Sequence, residues 1–126
     1  MMTKELERRL SHAVEYAKQQ RHEFVTLEHV LLALLESPET VQIITGVGGD
    51  VPSLKSKLRE AIKKNSVILT SEQIHEYGGD QWQPEFTIAC HRLFQRAALQ
   101  VRNAGRAQIT EGHLLISLYY ESDSYA

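Results

Sequence analysis

The sequence lacks the features that mark secreted and membrane proteins. Its single cysteine, Cys90, excludes an internal disulfide. No apolar run approaches the ~20 residues that a membrane-spanning helix needs. The N-terminus carries charges of both signs and no apolar segment follows it, so it does not resemble a secretory signal. We therefore expect a soluble, cytoplasmic protein with no membrane partner.

An excess of positive charge is also missing. The 126 residues include 14 basic and 16 acidic side chains, a net charge of −2, so no overall positive field exists for nucleic acid. Arginines do cluster in the second half, but a DNA-reading helix needs a polar face that the candidate helices lack. We expect no nucleic-acid partner. The length fits one domain, residues 1–126.

Helical periodicity dominates what remains. Apolar residues recur at three- and four-residue steps and predict four helices in the first 64 residues, the first ending near Gln20 and the third covering Glu39 to Thr45. Each predicted helix follows a side chain that can cap it, and Pro38 suits the first turn of the third helix. The predicted caps are Thr3, Thr26, Ser37 and Asp50.

The second half is predicted to contain two more helices. Residues 65–84 have no sustained helical period and include Gly78 and Gly79, so we expect a long surface connection, the most mobile part of the chain. A fifth helix is predicted over Glu85 to Ala104, with Gly105 just beyond its end. A sixth is predicted from Thr110 through Tyr120.

An internal repeat relates the two halves. A shift of 84 positions places Thr26 on Thr110 and His29 on His113. Two amphipathic helix pairs can also align by chance, but Thr-x-x-His at both starts favours a duplication. The sequence predicts an all-α, pseudo-twofold bundle of two repeated helical units, residues 1–64 and 85–126, joined by the linker 65–84. Further matches are Ala13 with Ala97, Leu31 with Leu115 and Leu34 with Leu118.

The same repeat predicts that the second unit is truncated. A full copy would extend about 22 residues beyond Ala126, and residues 122–124 would cap a seventh helix that is missing. We expect apolar surface to be exposed near Leu114, Leu118 and Tyr119, where it could drive self-association.

Histidine-based catalytic and metal motifs are incomplete. His22 and Glu23 begin an H-E-x-x-H metalloprotease pattern, but Thr26 stands where the second histidine is required. We expect His29 to hydrogen-bond near Thr26 and to pack between helices, and His113 to do the same in the second unit. No metal site is predicted.

Other chemical motifs are also weak. The glycines of residues 46–49 lack the lysine and hydroxyl residue of a phosphate-binding loop. Cys90 is expected to be a half-buried packing residue rather than a nucleophile. Glu23 and Glu28 are either solvated surface carboxylates or the charged rim of a protein-docking surface. We expect no catalytic residue and no cofactor.

Residues 21–35 carry a specific resemblance. Their pattern is Arg21-His22-Glu23-Phe24-x-Thr26-x-Glu28-His29-x-Leu31-Leu32-Ala33-Leu34-Leu35, and it resembles the first repeat of the Clp N-terminal domain, closest to the ClpA type of AAA+ unfoldase. The resemblance covers nearly the whole chain apart from residues 74–83, where the linker looks longer than usual. The second repeat agrees through Thr87, Arg92, Gln95, Arg96, Ala97, Gly105, Arg106 and Thr110.

This resemblance implies a docking function in protein degradation. Such a domain is tethered to two ATPase modules that pair with the ClpP peptidase, and it docks the adaptor ClpS and some substrates directly. It implies that this chain is a non-catalytic domain that binds a ClpS-like adaptor and substrate proteins for delivery to ClpP. By the same likeness, Glu23, Glu28, Thr87 and Arg96 match adaptor-facing positions.

The resemblance also raises a zinc site, because some family members bind zinc through the histidine that matches His22. Lys63 stands where a carboxylate would help, so we expect no metal. Two alternatives stay open: a stand-alone regulator that binds other Clp subunits, and a small enzyme or metal-binding helical protein.

Overall fold

Seven α-helices and one small parallel sheet make up residues 2–105 and 108–119, the part that the computed structural model describes. The strands are two residues each, and a short 3-10 helix spans Gly79–Gln81. The predicted all-α fold is confirmed, with this sheet added. The elements are α1 (Lys4–Gln19), β1 (Phe24–Val25), α2 (Leu27–Leu34), α3 (Pro38–Gly46), α4 (Val51–Asn65), α5 (Ser71–Glu76), β2 (Glu85–Phe86), α6 (Ile88–Asn103) and α7 (Glu111–Tyr119).

The four N-caps predicted in the first unit are confirmed. Each side chain accepts a hydrogen bond from the backbone N–H three residues later, which satisfies a donor that has no partner within the helix. The donor-to-acceptor distances are 3.2 Å for Thr3, 3.4 Å for Thr26, 3.4 Å for Ser37 and 3.2 Å for Asp50.

The linker 65–84 contains a helix that the sequence analysis missed. Thr70 and Gln73 form a reciprocal capping box at the start of α5, with hydrogen bonds of 2.9 and 3.1 Å. Leu69 and Trp82 are buried on either side of this helix. Most of the segment is exposed, as expected of a surface connection, but the expectation that it contains no helix is wrong. A six-residue helix is too short to show a helical period in the sequence.

The start of the fifth predicted helix is also corrected. Residues Glu85 and Phe86 form β2, and α6 begins three residues later than predicted, with Thr87 as its cap. β2 pairs in parallel with β1 from the other unit. Backbone hydrogen bonds between these strands therefore replace the first turn of the predicted fifth helix.

Equivalent hydrogen bonds show the pseudo-twofold relation of the two units. The Thr3 N–H donates to the Ile109 carbonyl at 3.0 Å, and the Thr87 N–H donates to the Val25 carbonyl at 3.1 Å. A shift of 84 positions converts one bond into the other. The start of α1 thus lies beside the start of α7, and the start of α6 lies beside the start of α2.

The ends of α1 and α6 are also alike. Arg21 and Gly105, again 84 positions apart, both adopt left-handed backbone angles, with φ values of 59° and 71°. Their N–H groups donate to Lys18 and Arg102 carbonyls at 3.0 and 3.1 Å. The first unit therefore uses a non-glycine residue where the second uses the residue best suited to this conformation.

The core corrects two further predictions. Cys90 is fully buried rather than half-buried, and its thiol donates to the Val25 carbonyl at 3.3 Å. Leu114 and Leu118 are buried because α7 packs against α2, α3 and α6, whereas Tyr119 is 83% exposed as expected.

Some predictions fall outside the described residues. These are the end of the sixth predicted helix at Tyr120, the match at Arg106 and the cap within residues 122–124. The division into units 1–64 and 85–126 stays a prediction. In the described part of the chain, no helix combines the length and the apolarity required to span a membrane.

Candidate docking surface

The four residues predicted to face an adaptor lie around the small sheet and along α6. Glu23 directly precedes β1, and Glu28 lies in the first turn of α2. Thr87 caps α6, where its hydroxyl accepts from the Cys90 N–H at 3.2 Å. Thr87 therefore has a structural task whether or not it contacts a partner.

Backbone hydrogen bonds fix Glu23 from two sides. Its N–H donates to the Val67 carbonyl at 3.0 Å, and its carbonyl accepts from the Glu85 N–H at 3.3 Å. Because Phe24 lies opposite Glu85 in the parallel pair, Glu23 and Thr87 are at opposite ends of the sheet, about 10 Å apart along the strands. The carboxylate of Glu23 is thus presented from a fixed backbone.

Arg96 is more distant. It lies nine residues after Thr87, which is about 13 Å and two and a half turns along α6. Its side chain is half-buried, as is that of Glu28. Glu23 and Thr87 therefore flank the small sheet at its two ends, and Arg96 lies on a different part of the α6 surface.

A cleft beside Glu23 contains aromatic residues that the sequence analysis did not select. It has a volume of about 470 Å³, and Phe24 and Tyr77 in its lining are 41% and 53% exposed. The sequence contains one signal for this cleft, which is the presence of Tyr77 and Trp82 within the linker. The lining residues are Glu23, Phe24, Tyr77, Gln81, Trp82, Gln83 and Glu85.

Two buried histidines support the turn that carries Glu23 and Glu28. Nδ1 of His29 accepts from the Thr26 N–H at 3.0 Å, which leaves its proton on Nε2. That Nε2 lies 2.9 Å from Nδ1 of His22 and donates to it. Tyr16 packs edge-on against both rings. The expected hydrogen bonding of His29 near Thr26 is confirmed.

Burial sets the ionisation of this pair. Burial, and secondarily the nearby His22, lowers the pKa of His29 from 6.5 to about 4. Burial also lowers the pKa of His22. A proton on Nδ1 of His29 would face the Thr26 N–H, so the neutral form is the one that fits the turn.

The second unit repeats part of this arrangement. Nδ1 of His113 accepts from the Thr110 N–H at 3.0 Å, and the Thr110 hydroxyl accepts from the His113 N–H at 3.2 Å. Glu39 of α3 adds a carboxylate at the start of α7, where it accepts from Thr110 and from the Gly112 N–H.

A metal centre has little support in this arrangement. Among residues 2–105 and 108–119, no three His, Cys, Asp or Glu side chains form a group that could hold a metal ion. His22 directs a ring nitrogen to His29 instead.

Comparison with known proteins identifies the family. Residues 1–126 match the Clp repeat (R) N-terminal domain. The chain belongs to this Clp N-domain family. The chain is 34% identical to a ClpA homolog protein from Fuscovulum blasticum. The alignment extends over 122 residues, which are 96% of this chain and 14% of that relative. The Clp N-domain described here thus spans about a seventh of the length of this relative.

Solved structures share the fold of this Clp N-domain. The N-terminal domain of the chaperone ClpD from Arabidopsis thaliana superimposes with a TM-score of 0.66 at 19% identity, covering 97% of this chain and 77% of that one. A ClpV N-domain in complex with a VipB peptide gives a TM-score of 0.74 at 20% identity, covering 98% and 72%. At these identities the comparison supports the fold.

Proposed function

We propose that this Clp N-domain is the non-catalytic docking domain of a ClpA-type, ATP-dependent unfoldase of the cytoplasm. In this proposal it binds a ClpS-like adaptor and substrate proteins, and AAA+ modules in the same polypeptide pass them to ClpP. The observation that carries the proposal is the 34% identity to a ClpA homolog over 96% of the chain.

The ClpV complex supports a binding role. A domain of the same fold holds a peptide from VipB, so this architecture is able to present a peptide-binding surface. The proposed occupant differs here, because the likeness in sequence is to the ClpA type.

We place the adaptor surface at the Glu23–Glu28 turn and the start of α6, with Arg96 at its edge. The backbone of Glu23 is fixed by hydrogen bonds to Val67 and Glu85, so little backbone entropy is lost when a partner binds there. Exposed aromatic area in the adjacent cleft supplies apolar contact, and the carboxylates steer the approach of a basic partner.

The test is a calorimetric titration of the chain with a purified ClpS-like adaptor. We expect a one-to-one complex. Replacing Glu23 and Glu28 by lysine should weaken binding by about tenfold or more, mainly through slower association, with a smaller loss at high salt.

A matched control is Glu60→Lys, which makes the same kind of charge change on the exposed surface of α4. It should leave affinity nearly unchanged. Absence of binding by the folded, wild-type chain would rule out the proposed adaptor. Equal losses for Glu60→Lys and for the Glu23 and Glu28 variants would remove the turn from the interface.

A further inference from the structure

The charge that lines the cleft beside Glu23 is of one sign. Among the described residues that line it, Glu23 and Glu85 supply two carboxylates, and the other side chains are aromatic rings and glutamines. Neither carboxylate forms an ion pair with a residue in the described part of the chain. A cleft with this lining attracts a cation from outside the domain.

The backbone holds the two acidic residues and one of the rings together. The Glu85 N–H donates to the Glu23 carbonyl at 3.3 Å, so the main chains of the two residues are directly bonded. Phe24 lies opposite Glu85 in the parallel pair, and residues that lie opposite each other project from the same face of a sheet. The ring of Phe24 is therefore beside a carboxylate.

Two further aromatic rings come from the linker. Gly78 and Gly79 adopt left-handed backbone angles, with φ values of 117° and 59°, and this turn brings Tyr77 and Trp82 into the same cleft. Tyr77 is 53% exposed, whereas Trp82 is buried. The face of an aromatic ring attracts a cation within about 6 Å of its centre. The rings and the carboxylates thus favour the same kind of ligand.

Two cations of the chain that lie in this region bond to other groups. Lys18 lines a neighbouring cleft that shares only Trp82 with this one, and its Nζ donates to the Asp80 carbonyl at 3.2 Å. Arg21 donates to the Ser71 hydroxyl at 3.4 Å. The carboxylates of the cleft are therefore available to a cation from a partner.

The internal repeat indicates that the fold does not require these side chains. A shift of 84 positions places Glu23 on Ala107 and Phe24 on Gln108. The second unit therefore has neither a carboxylate nor a ring at the equivalent positions of its sequence. This difference favours a binding role for the acidic and aromatic pair in the first unit.

We propose that the cleft beside Glu23 binds a basic side chain, arginine or lysine, of a substrate protein. The cation lies against the rings and pairs with the carboxylates, while the methylene groups of the side chain cover apolar ring surface. The volume of about 470 Å³ is in the range of about 300–1,000 Å³ that is usual for ligand sites. This inference rests on the proposed function, because it names the chemistry of the substrates that the domain docks.

The probes are end-blocked peptides in which glycines flank one central arginine or one central lysine. Trp82 is the reporter, because it lines the cleft and is the single tryptophan of the chain. Its fluorescence is followed while each peptide is added to the full chain at low salt. We expect a saturable change with a dissociation constant on the order of 1 mM, since one side chain buries little surface.

Two controls test whether the cleft recognises the charge. A peptide with citrulline, which is neutral and close to arginine in shape, should bind at least about tenfold more weakly than the arginine peptide. Glu85→Gln removes one carboxylate and should weaken binding of both basic peptides by about threefold or more. Glu72→Gln is the matched variant and should leave affinity unchanged, since Glu72 is exposed on α5 and does not line the cleft. Circular dichroism confirms that each variant is folded.

Three outcomes would overturn the inference. The first is no saturable change in the fluorescence of the folded, wild-type chain with either basic peptide. The second is equal affinity for the citrulline and arginine peptides. The third is an equal effect of Glu85→Gln and Glu72→Gln.

The adaptor titration separates this inference from the proposed function. A chain that binds the ClpS-like adaptor but neither basic peptide would retain the proposed adaptor and overturn the basic-side-chain site. A chain that binds the basic peptides but not the adaptor would give the reverse result.

Discussion

His22 and His29 face each other beneath the candidate docking turn, with 2.9 Å between Nδ1 of the first and Nε2 of the second. One residue precedes β1 and the other lies in the first turn of α2. The bond therefore joins the two sides of the segment that carries Glu23 and Glu28. It requires both rings to be neutral in this arrangement, because an added proton would place two donors against each other.

We predict that acid destabilises the domain through this pair. The pKa of His29 is 6.5 when unfolded and about 4 when folded, so the unfolded state binds more protons between these values. The free energy of unfolding should be highest above about pH 6.5 and fall by on the order of 2–3 kcal/mol as the pH drops to about 4. Urea unfolding at a series of pH values measures this change.

The control for this prediction removes the group whose pKa is lowered. His29→Gln should reduce the pH dependence of the free energy of unfolding between pH 6.5 and 4, because glutamine does not titrate in this range. An unchanged slope in His29→Gln would show that other groups cause the acid sensitivity.

Features encoded by nearby residues were predictable from the sequence. The caps Thr3 and Thr26 are three residues from their partners, and the 84-residue repeat is visible because equivalent helices bury equivalent positions. The small sheet was not predictable, because the Thr87 N–H bonds to Val25, which is 62 positions away. Two-residue strands also have no periodicity of their own.

Only part of the candidate site could be predicted from the sequence. The motif around Glu23 and Glu28 identified the turn, but the cleft beside it is completed by Tyr77 and Trp82. Those aromatics reach the turn only because α5 and its flanking residues fold back onto it, where the Leu69 N–H donates to the Arg21 carbonyl at 2.8 Å. Long-range pairing of this kind leaves no local trace in the sequence.

The left-handed residues after α1 and α6 give a second prediction. Arg21→Gly should raise the free energy of unfolding by about 0.5–1 kcal/mol, because glycine adopts a positive φ without strain. Gly105→Ala should lower it by about 1 kcal/mol for the same reason. Thermal or urea unfolding measures both changes.

Arg21→Ala separates backbone strain from side-chain contacts. It keeps the strained backbone and loses only an exposed 3.4 Å hydrogen bond to Ser71, so we expect a change of a few tenths of a kcal/mol. Equal stabilisation by alanine and glycine would contradict the explanation from backbone strain.

A third prediction concerns the ion pair between α1 and α7. The Arg9 Nε donates to a carboxylate oxygen of Glu111 at 2.8 Å, and Glu111 is only 9% exposed. Arg9→Ala should cost about 1–2 kcal/mol, because it leaves a buried carboxylate without this partner. Combining Arg9→Met with Glu111→Leu should recover most of that loss, since Leu27 occupies the equivalent position in the first unit. A double variant less stable than Arg9→Ala would contradict this, as urea unfolding would show.

A fourth prediction tests the aromatic cleft under the proposed adaptor function. Tyr77→Ser should weaken adaptor binding by about 1–2 kcal/mol, because the exposed ring lines the cleft beside Glu23 and would be buried in the complex. Leu99→Ser is the matched control, since Leu99 is 55% exposed, Tyr77 is 53% exposed, and only Tyr77 lines the cleft. Calorimetry with the same ClpS-like adaptor measures both variants. If both variants bind as tightly as the wild-type chain, the adaptor does not use the cleft, and contact is confined to the carboxylate turn and α6.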